Sequence, residues 1–252
     1  MKLNIVPART GIEWLKLGIR TFFKQPLALA GLFFMYMAAV LAVAQIPVVG
    51  VIIGGMLVPG ATLGLMAATA EAVKGRFPMP SVLVSAFRAG RQQARSMLLL
   101  GALYTGGSMA ATGLASLIAG TPGAGVGEVD GATLLALAFH MPLFLMFWHA
   151  PALVHWHGVS PVKSLFFSLV ACLRNFGAFA LYGFAWLLVF LGAGTAVGLA
   201  GGLIGGPTMA RAVMMPMALL MAAMFSTSIY FTFRDSFLAT PETEQQPPGE
   251  PT

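Results

Sequence analysis

Six apolar stretches, each long enough to cross a bilayer, constrain this chain more than any other feature. They fall at about 27–47, 48–73, 97–120, 133–154, 178–200 and 209–231. A helix needs roughly 17–25 apolar residues to span the hydrocarbon core. Only 9% of the residues are charged, the hydrophobic share is 58%, and the mean hydropathy is +0.85. A soluble domain carries about a quarter charged residues, so a water-soluble globule is excluded. The expected class is all-α: a polytopic integral membrane protein with six transmembrane helices.

The start of the chain needs a check against a secretory leader. AVA before Gln45 looks like a cleavage site after an apolar run. About 26 residues precede that run, however, and a leader's charged region is much shorter. An uncleaved first span is expected.

Orientation follows from Lys and Arg, which are retained on the cytoplasmic side of short loops. Lys2, Arg9, Lys16, Arg20 and Lys24 precede span one, and Lys74, Arg76, Arg88, Arg91 and Arg95 separate spans two and three. Lys163 and Arg174 separate spans four and five, and Arg234 follows span six. Of the 14 basic residues, Arg211 stands alone on the other side. Both termini are expected inside the bacterial inner membrane (N-in, C-in). The net charge of +6 reports orientation and lipid contact rather than nucleic acid.

Three cytoplasmic segments read as amphipathic helices lying in the interface. In GIEWLKLGIRTFFKQP, Glu13, Lys16, Arg20 and Lys24 recur at helical spacing, opposite Ile12, Leu15, Ile19 and Phe22. In PSVLVSAFRAGRQQARS, near 81–95, Arg88, Arg91 and Arg95 share one stripe, with Leu83 and Phe87 on another. In SPVKSLFFSLVACLRN, near 161–175, Ser160, Ser164 and Ser168 lie opposite Leu165, Leu169 and Leu173. Arg95 and Arg174 hold matching places, each followed eight or nine residues later by a tyrosine, Tyr104 or Tyr182. The chain thus reads as three units of about 70–80 residues, each an interfacial helix and two spans. Domain limits follow: a cytoplasmic N-terminus over 1–26, a six-span domain over 27–235, and a tail over 236–252. The tail, rich in Pro and Glu, is expected to be disordered.

Small residues four apart make flat helix faces that let backbones approach closely in lipid. Gly194, Gly198, Gly202 and Gly206 form such a ridge; Gly50/Gly54, Gly60/Gly64 and Gly107, Ala111, Ala115, Ala119 form others. All are expected to pack within the chain.

HAPALVHWHGVSP holds three of the four histidines. His155 and His157 flank Trp156 at headgroup level, and Pro151 and Pro161 frame them, so HWH reads as a wet connector. On a helix these two histidines point roughly 200° apart, which does not suit a metal site needing three or four convergent ligands. His140 lies inside span four beside Met141-Pro142. An intramembrane ionisable group is a functional candidate, although a neutral imidazole bonded to a carbonyl freed by Pro142 serves equally well. His140, Glu71 and His149 are the candidate intramembrane polar set. Glu71 is expected to pair with Lys74 at the interface, and Arg211 with Glu128 or Asp130 outside. Met214, Met217, Met221 and Met224 make a stripe read as adaptable core filling. Cys172 is alone, so no intrachain disulfide exists. No Walker loop, GxSxG or HExxH is present, and no enzyme activity, metal or cofactor is expected.

WLKLGIRTFFKQP with its following hairpin, and FWHAPALVHWHGVSPVKSLFFSLVACLRNFGAF, resemble a family of uncharacterised bacterial six-span inner-membrane proteins over about 1–235. More distantly, the run of span, Pro, short loop and S-P-x-x-S-L resembles the membrane domain attached to some glycerophosphodiester phosphodiesterases. The phosphodiesterase barrel and its acidic metal ligands have no counterpart here, so the resemblance implies a compartment and an architecture and carries over no functional residue.

Two functions fit. The first is a non-enzymatic scaffold or lipid-interacting protein, with Arg88, Arg91 and Arg95 contacting anionic lipid and a membrane-protein partner or second copy as further company. The second is a small transporter or amphiphile permease, suggested by His140, Glu71 and the prolines Pro59, Pro142 and Pro216 in the even-numbered spans.

Overall fold

The computed structural model describes residues 2–120 and 130–237. The expectations for Glu128 and for the tail beyond Phe237 fall outside them. The helices, in chain order, are α1 (Thr10–Lys24), α2 (Pro26–Ala44), α3 (Val49–Val73), α4 (Ser85–Arg88), α5 (Arg91–Ala119), α6 (Gly131–His157), α7 (Pro161–Arg174) and α8 (Phe176–Ser236). Among the described residues no strand occurs.

Five helices are long and apolar enough to cross a membrane. The longest, α8, contains one residue off the helical path, Gly206 at φ 70°, followed by Pro207. There the chain turns back on itself: a side chain on Gly201 would strike the backbone of Ala210, and Trp186 reaches Ser228. The two arms, 176–205 and 207–236, are therefore an antiparallel hairpin, and the spans number six. Large apolar side chains cover the outside, with Leu117 84% and Leu203 87% exposed. In water that pattern would be costly; in lipid it is the contact surface.

Neighbouring spans approach at glycines. Gly101 of α5 abuts the Met56 backbone of α3, and Gly55 of α3 meets Thr105 of α5. Gly60 and Gly64 receive Phe87 and Leu83, from the segment between α3 and α5. The Gly194, Gly198 and Gly202 ridge behaves otherwise. A side chain on any of the three would meet nothing within 4 Å, so these glycines do not pack within the chain.

The interfacial helices are where sequence and structure diverge most. A continuous helix over 81–95 does not form. Instead a 3-10 turn (Pro80–Val84) leads into the four-residue α4, Gly90 at φ 112° breaks the chain, and Arg91 starts a span. Arg88 thus closes one short helix while Arg91 and Arg95 open another, so the three share no stripe. Arg95 and Arg174 are not equivalent either: one lies in the second turn of a span, the other at the end of α7. Units one and three do match, as α1 breaks at Gln25 before α2 and α7 at Asn175 before α8.

The buried faces of α1 and α7 also differ from the leucine stripes. On α1 the buried set is Thr10, Gly11, Trp14, Leu15, Gly18, Thr21 and Phe22, while Ile12 is exposed. Gly11 sits against the backbone of Ala178 and Gly18 against Ser228, so α1 is wedged into the α8 hairpin instead of floating on lipid. On α7 the serines point inward: Ser164, Ser168, Ala171 and Cys172 are buried together with Leu165 of the leucine stripe, whereas Phe166 and Leu173 face out. A polar face seeks polar partners inside a bundle surrounded by lipid, which inverts the soluble rule.

Candidate functional site

The segment before α1 and the end of α8 meet at one end of the bundle, called the inner end after its charge. Asn4 donates its N–H to the Ser236 carbonyl at 2.9 Å and its side-chain amide to the Asp235 carbonyl. Asn175, at the α7–α8 break, accepts from Val6 N–H and donates to the Asn4 carbonyl. Trp14, fully buried, donates its indole N–H to Asp235 Oδ2 at 2.9 Å, and Asp235 also pairs with Arg234 at 2.7 Å. Ser236 and Phe237, just past the expected limit at 235, are also buried here.

Just inside this clasp, two hydroxyls one helical turn apart on the second arm of α8 tie that arm to the first arm and to α6. Ser228 gives its proton to the Phe225 carbonyl and accepts from Trp186 Nε1, with Tyr182 Oη at 2.5 Å. Thr232 gives its proton to the Ile229 carbonyl at 2.7 Å and accepts from Trp148 Nε1 at 2.9 Å. His149 Nε2 lies 3.2 Å from the same oxygen. With Thr232's proton committed, His149 must donate from Nε2; this neutral tautomer is assigned from the hydrogen-bond pattern. Its Nδ1 is buried without a partner, and the rings of Phe179, Phe233 and Phe237 stand 5.4–5.9 Å away.

Helix α6 is opened beside His149. Pro151 brings no N–H, so the Phe147 carbonyl has no donor four residues on. One turn earlier, Ser168 of α7 inserts its hydroxyl between two groups that an unbroken helix would join directly. It accepts from the His149 N–H at 2.9 Å and donates to the Leu145 carbonyl at 2.8 Å. A side chain entering the ladder in this way is a recognised cause of helix bending. Cys172 adds a weak contact to the same carbonyl at 3.7 Å, and burial pushes its thiol up to about 12, leaving it protonated and inert.

The expected polar set is not brought together. Glu71 lies at the inner end, bound not to Lys74 but to Arg76, at 2.7 Å. The turn at Gly75 (φ 76°) carries the Arg76 side chain back toward it. His140 lies in the outer half, roughly 25 Å away along the bundle axis. Its Nδ1 meets the Ala136 carbonyl at 2.8 Å and its Nε2 meets Ser108 Oγ at 3.2 Å. The carbonyl it holds is therefore not that of Ala138, which Pro142 deprives of a donor. His140 also lines a cavity of about 250 Å³ with Thr62, Tyr104 and Trp148. The HWH segment is no connector: α6 continues through His157 and ends at Gly158 in the left-handed region. His155 faces Gln93 and His157 faces Phe233, on different helices. Among the described residues no three metal-ligating side chains gather.

The chain is 36% identical to a Burkholderia thailandensis protein named a probable inner membrane protein, over 94% of each chain. It belongs to that family. It is a multi-pass inner-membrane protein, as the six spans require. No family model matches the chain, and no solved structure does. Sequence reading placed Ser168 only on the polar face of an interfacial helix and missed Ser228 and Thr232, because it weighed glycines and charges. The run FSTSIYFT on span six was the available signal, since small hydroxyls there serve as interhelical glue.

Proposed function

We propose that this protein is a non-enzymatic, lipid-interacting scaffold of the inner membrane that engages anionic phospholipid at its inner end. The observation that supports this most directly is the disposition of basic side chains there. Lys16, Arg20 and Lys24 on α1, and Arg88, Arg91 and Arg95 around Gly90, are exposed, and none forms an ion pair among the described residues. Each such charge near an anionic leaflet contributes about 1 kcal/mol, reduced by salt screening. The packing of α1 against α8 gives Lys16, Arg20 and Lys24 a fixed mount. The test is native mass spectrometry of the full chain from mixed-lipid nanodiscs: enrichment of phosphatidylglycerol over phosphatidylcholine is expected, and equal retention would sink the reading.

A second reading, a small amphiphile permease, is favoured by one observation: the cavity of about 250 Å³ lined by Thr62, Tyr104 and His140 among the spans. Polar groups around a cavity at membrane depth are typical of a substrate path. Amphiphile uptake into vesicles bearing the protein, lost on His140→Leu, would move the assignment to transport.

A further inference from the structure

At the inner end, a second cavity of about 260 Å³ opens between the last turns of α3, α6 and α8. Lys74 and Arg234 bring two positive charges to its wall, Trp156 and Tyr230 bring two rings with polar edges, and no carboxylate lines it. Of the acids nearby, Glu71 is engaged by Arg76, while Asp235 accepts from Trp14 and pairs with the wall residue Arg234 through its Nε, offsetting part of that charge. Among the described residues Arg234 gives Asp235 only that Nε–H, and the Lys74 ammonium forms no hydrogen bond or ion pair. The guanidinium is also steadied over the Phe231 ring at 5.0 Å.

This composition selects a ligand. Aromatic rings can cage a quaternary ammonium, but two cations in the wall oppose that ligand and favour an anion. A guanidinium fork beside a flexible ammonium matches phosphate oxygens. Trp and Tyr are at home at headgroup level, where the ends of three spans place them. Ligand sites for whole small molecules start at about 300 Å³, so this cavity suits a headgroup whose acyl chains stay in the bilayer. We propose that it is a specific site for the phosphate of an anionic phospholipid, held by Arg234 and Lys74 with Trp156 and Tyr230 setting its depth. The inference rests on the lipid-interacting reading and places its specific contact away from Arg88, Arg91 and Arg95.

The test compares phosphatidylglycerol retention by the full-length chain from nanodiscs of equal phosphatidylglycerol and phosphatidylcholine, read by native mass spectrometry. Lys74→Gln, at an exposed position, should weaken retention about fivefold, the effect of one charge. Lys74→Gln with Arg234→Gln should weaken it further; because Arg234 also holds Asp235, thermal unfolding of that variant is measured alongside. The triple change Arg88→Gln, Arg91→Gln, Arg95→Gln should weaken retention less than Lys74→Gln alone. If the triple variant loses the lipid while Lys74→Gln keeps it, the pocket is overturned and the broader lipid reading stands. If the wild type shows no preference for phosphatidylglycerol, both fall. If millimolar inorganic phosphate displaces the lipid and protects the wild type against unfolding equally well, the site is one for free phosphate and the headgroup assignment is overturned.

Discussion

The inner and outer halves of this bundle are built from the same apolar helices and held together by different means. At the inner end, Ser228 and Thr232 each gather ring donors from neighbouring helices, α1 is wedged between the arms of α8, and residues 221–237 are largely buried. At the outer end the α8 hairpin stands out with most of residues 191–220 exposed, and side chains added at Gly194, Gly198 and Gly202 would meet open space. In lipid, burying a leucine against another helix brings little hydrophobic gain, because the acyl chains are equally apolar. Adhesion then depends on close backbone contact, ring packing and hydrogen bonds. The inner half has all three.

The contrast is exposed to test by substitution, with thermal unfolding in detergent as the readout. Trp14→Ala should have the largest effect, about 3–5 kcal/mol, by emptying a fully buried ring site and releasing Asp235. A loss below about 1 kcal/mol would mean that α1 merely rests on the bundle. Gly101→Val and Gly18→Val should each cost about 1–3 kcal/mol by forcing apart touching elements. Wild-type stability in both variants would refute the close approach.

Thr232→Val keeps the shape but strands the Trp148 and His149 donors. About 1–2 kcal/mol is expected, trimmed because such bonds between membrane helices average about 0.6 kcal/mol. Tryptophan fluorescence should shift with it, and an unchanged spectrum would argue against the Trp148 bond. The smallest effect belongs to the outer half: Gly198→Val should stay within about 0.5 kcal/mol of wild type, since the new side chain meets open space. Strong destabilisation or a change in oligomeric state there would show that the ridge is covered by another molecule, and would erase the contrast between the halves.

The candidate residues illustrate how far a sequence of this kind can be read. His149 and His155 looked alike as members of one short cluster, yet one is fully buried under three rings and the other half-exposed beside Gln93. Their separation comes from helical phase, which becomes decisive only once α6 is known to continue past Pro151 as far as His157. The arginine stripe failed for a similar reason. Spacing of three and four places Arg88, Arg91 and Arg95 on one face only if the helix is continuous, and Gly90 at φ 112° ends it. The Glu71 pairing changed because a turn at Gly75 delivers Arg76, a longer and forked donor, in place of Lys74.

By itself the sequence determined the class, the six spans to within a few residues at most ends, and the gathering of basic charge on one side. Each of these follows from local hydrophobicity and charge, quantities that add along a chain and need no knowledge of neighbours. Only the tertiary structure decided which face of α1 and α7 turns inward, which glycines are contacts, and where polar groups converge. Those outcomes depend on pairing between residues far apart in the chain, such as Trp14 with Asp235 and Ser168 with the opened turn of α6. In a bilayer the apolar face of a helix has no preferred side, so the few hydroxyls, rings and glycines choose the packing.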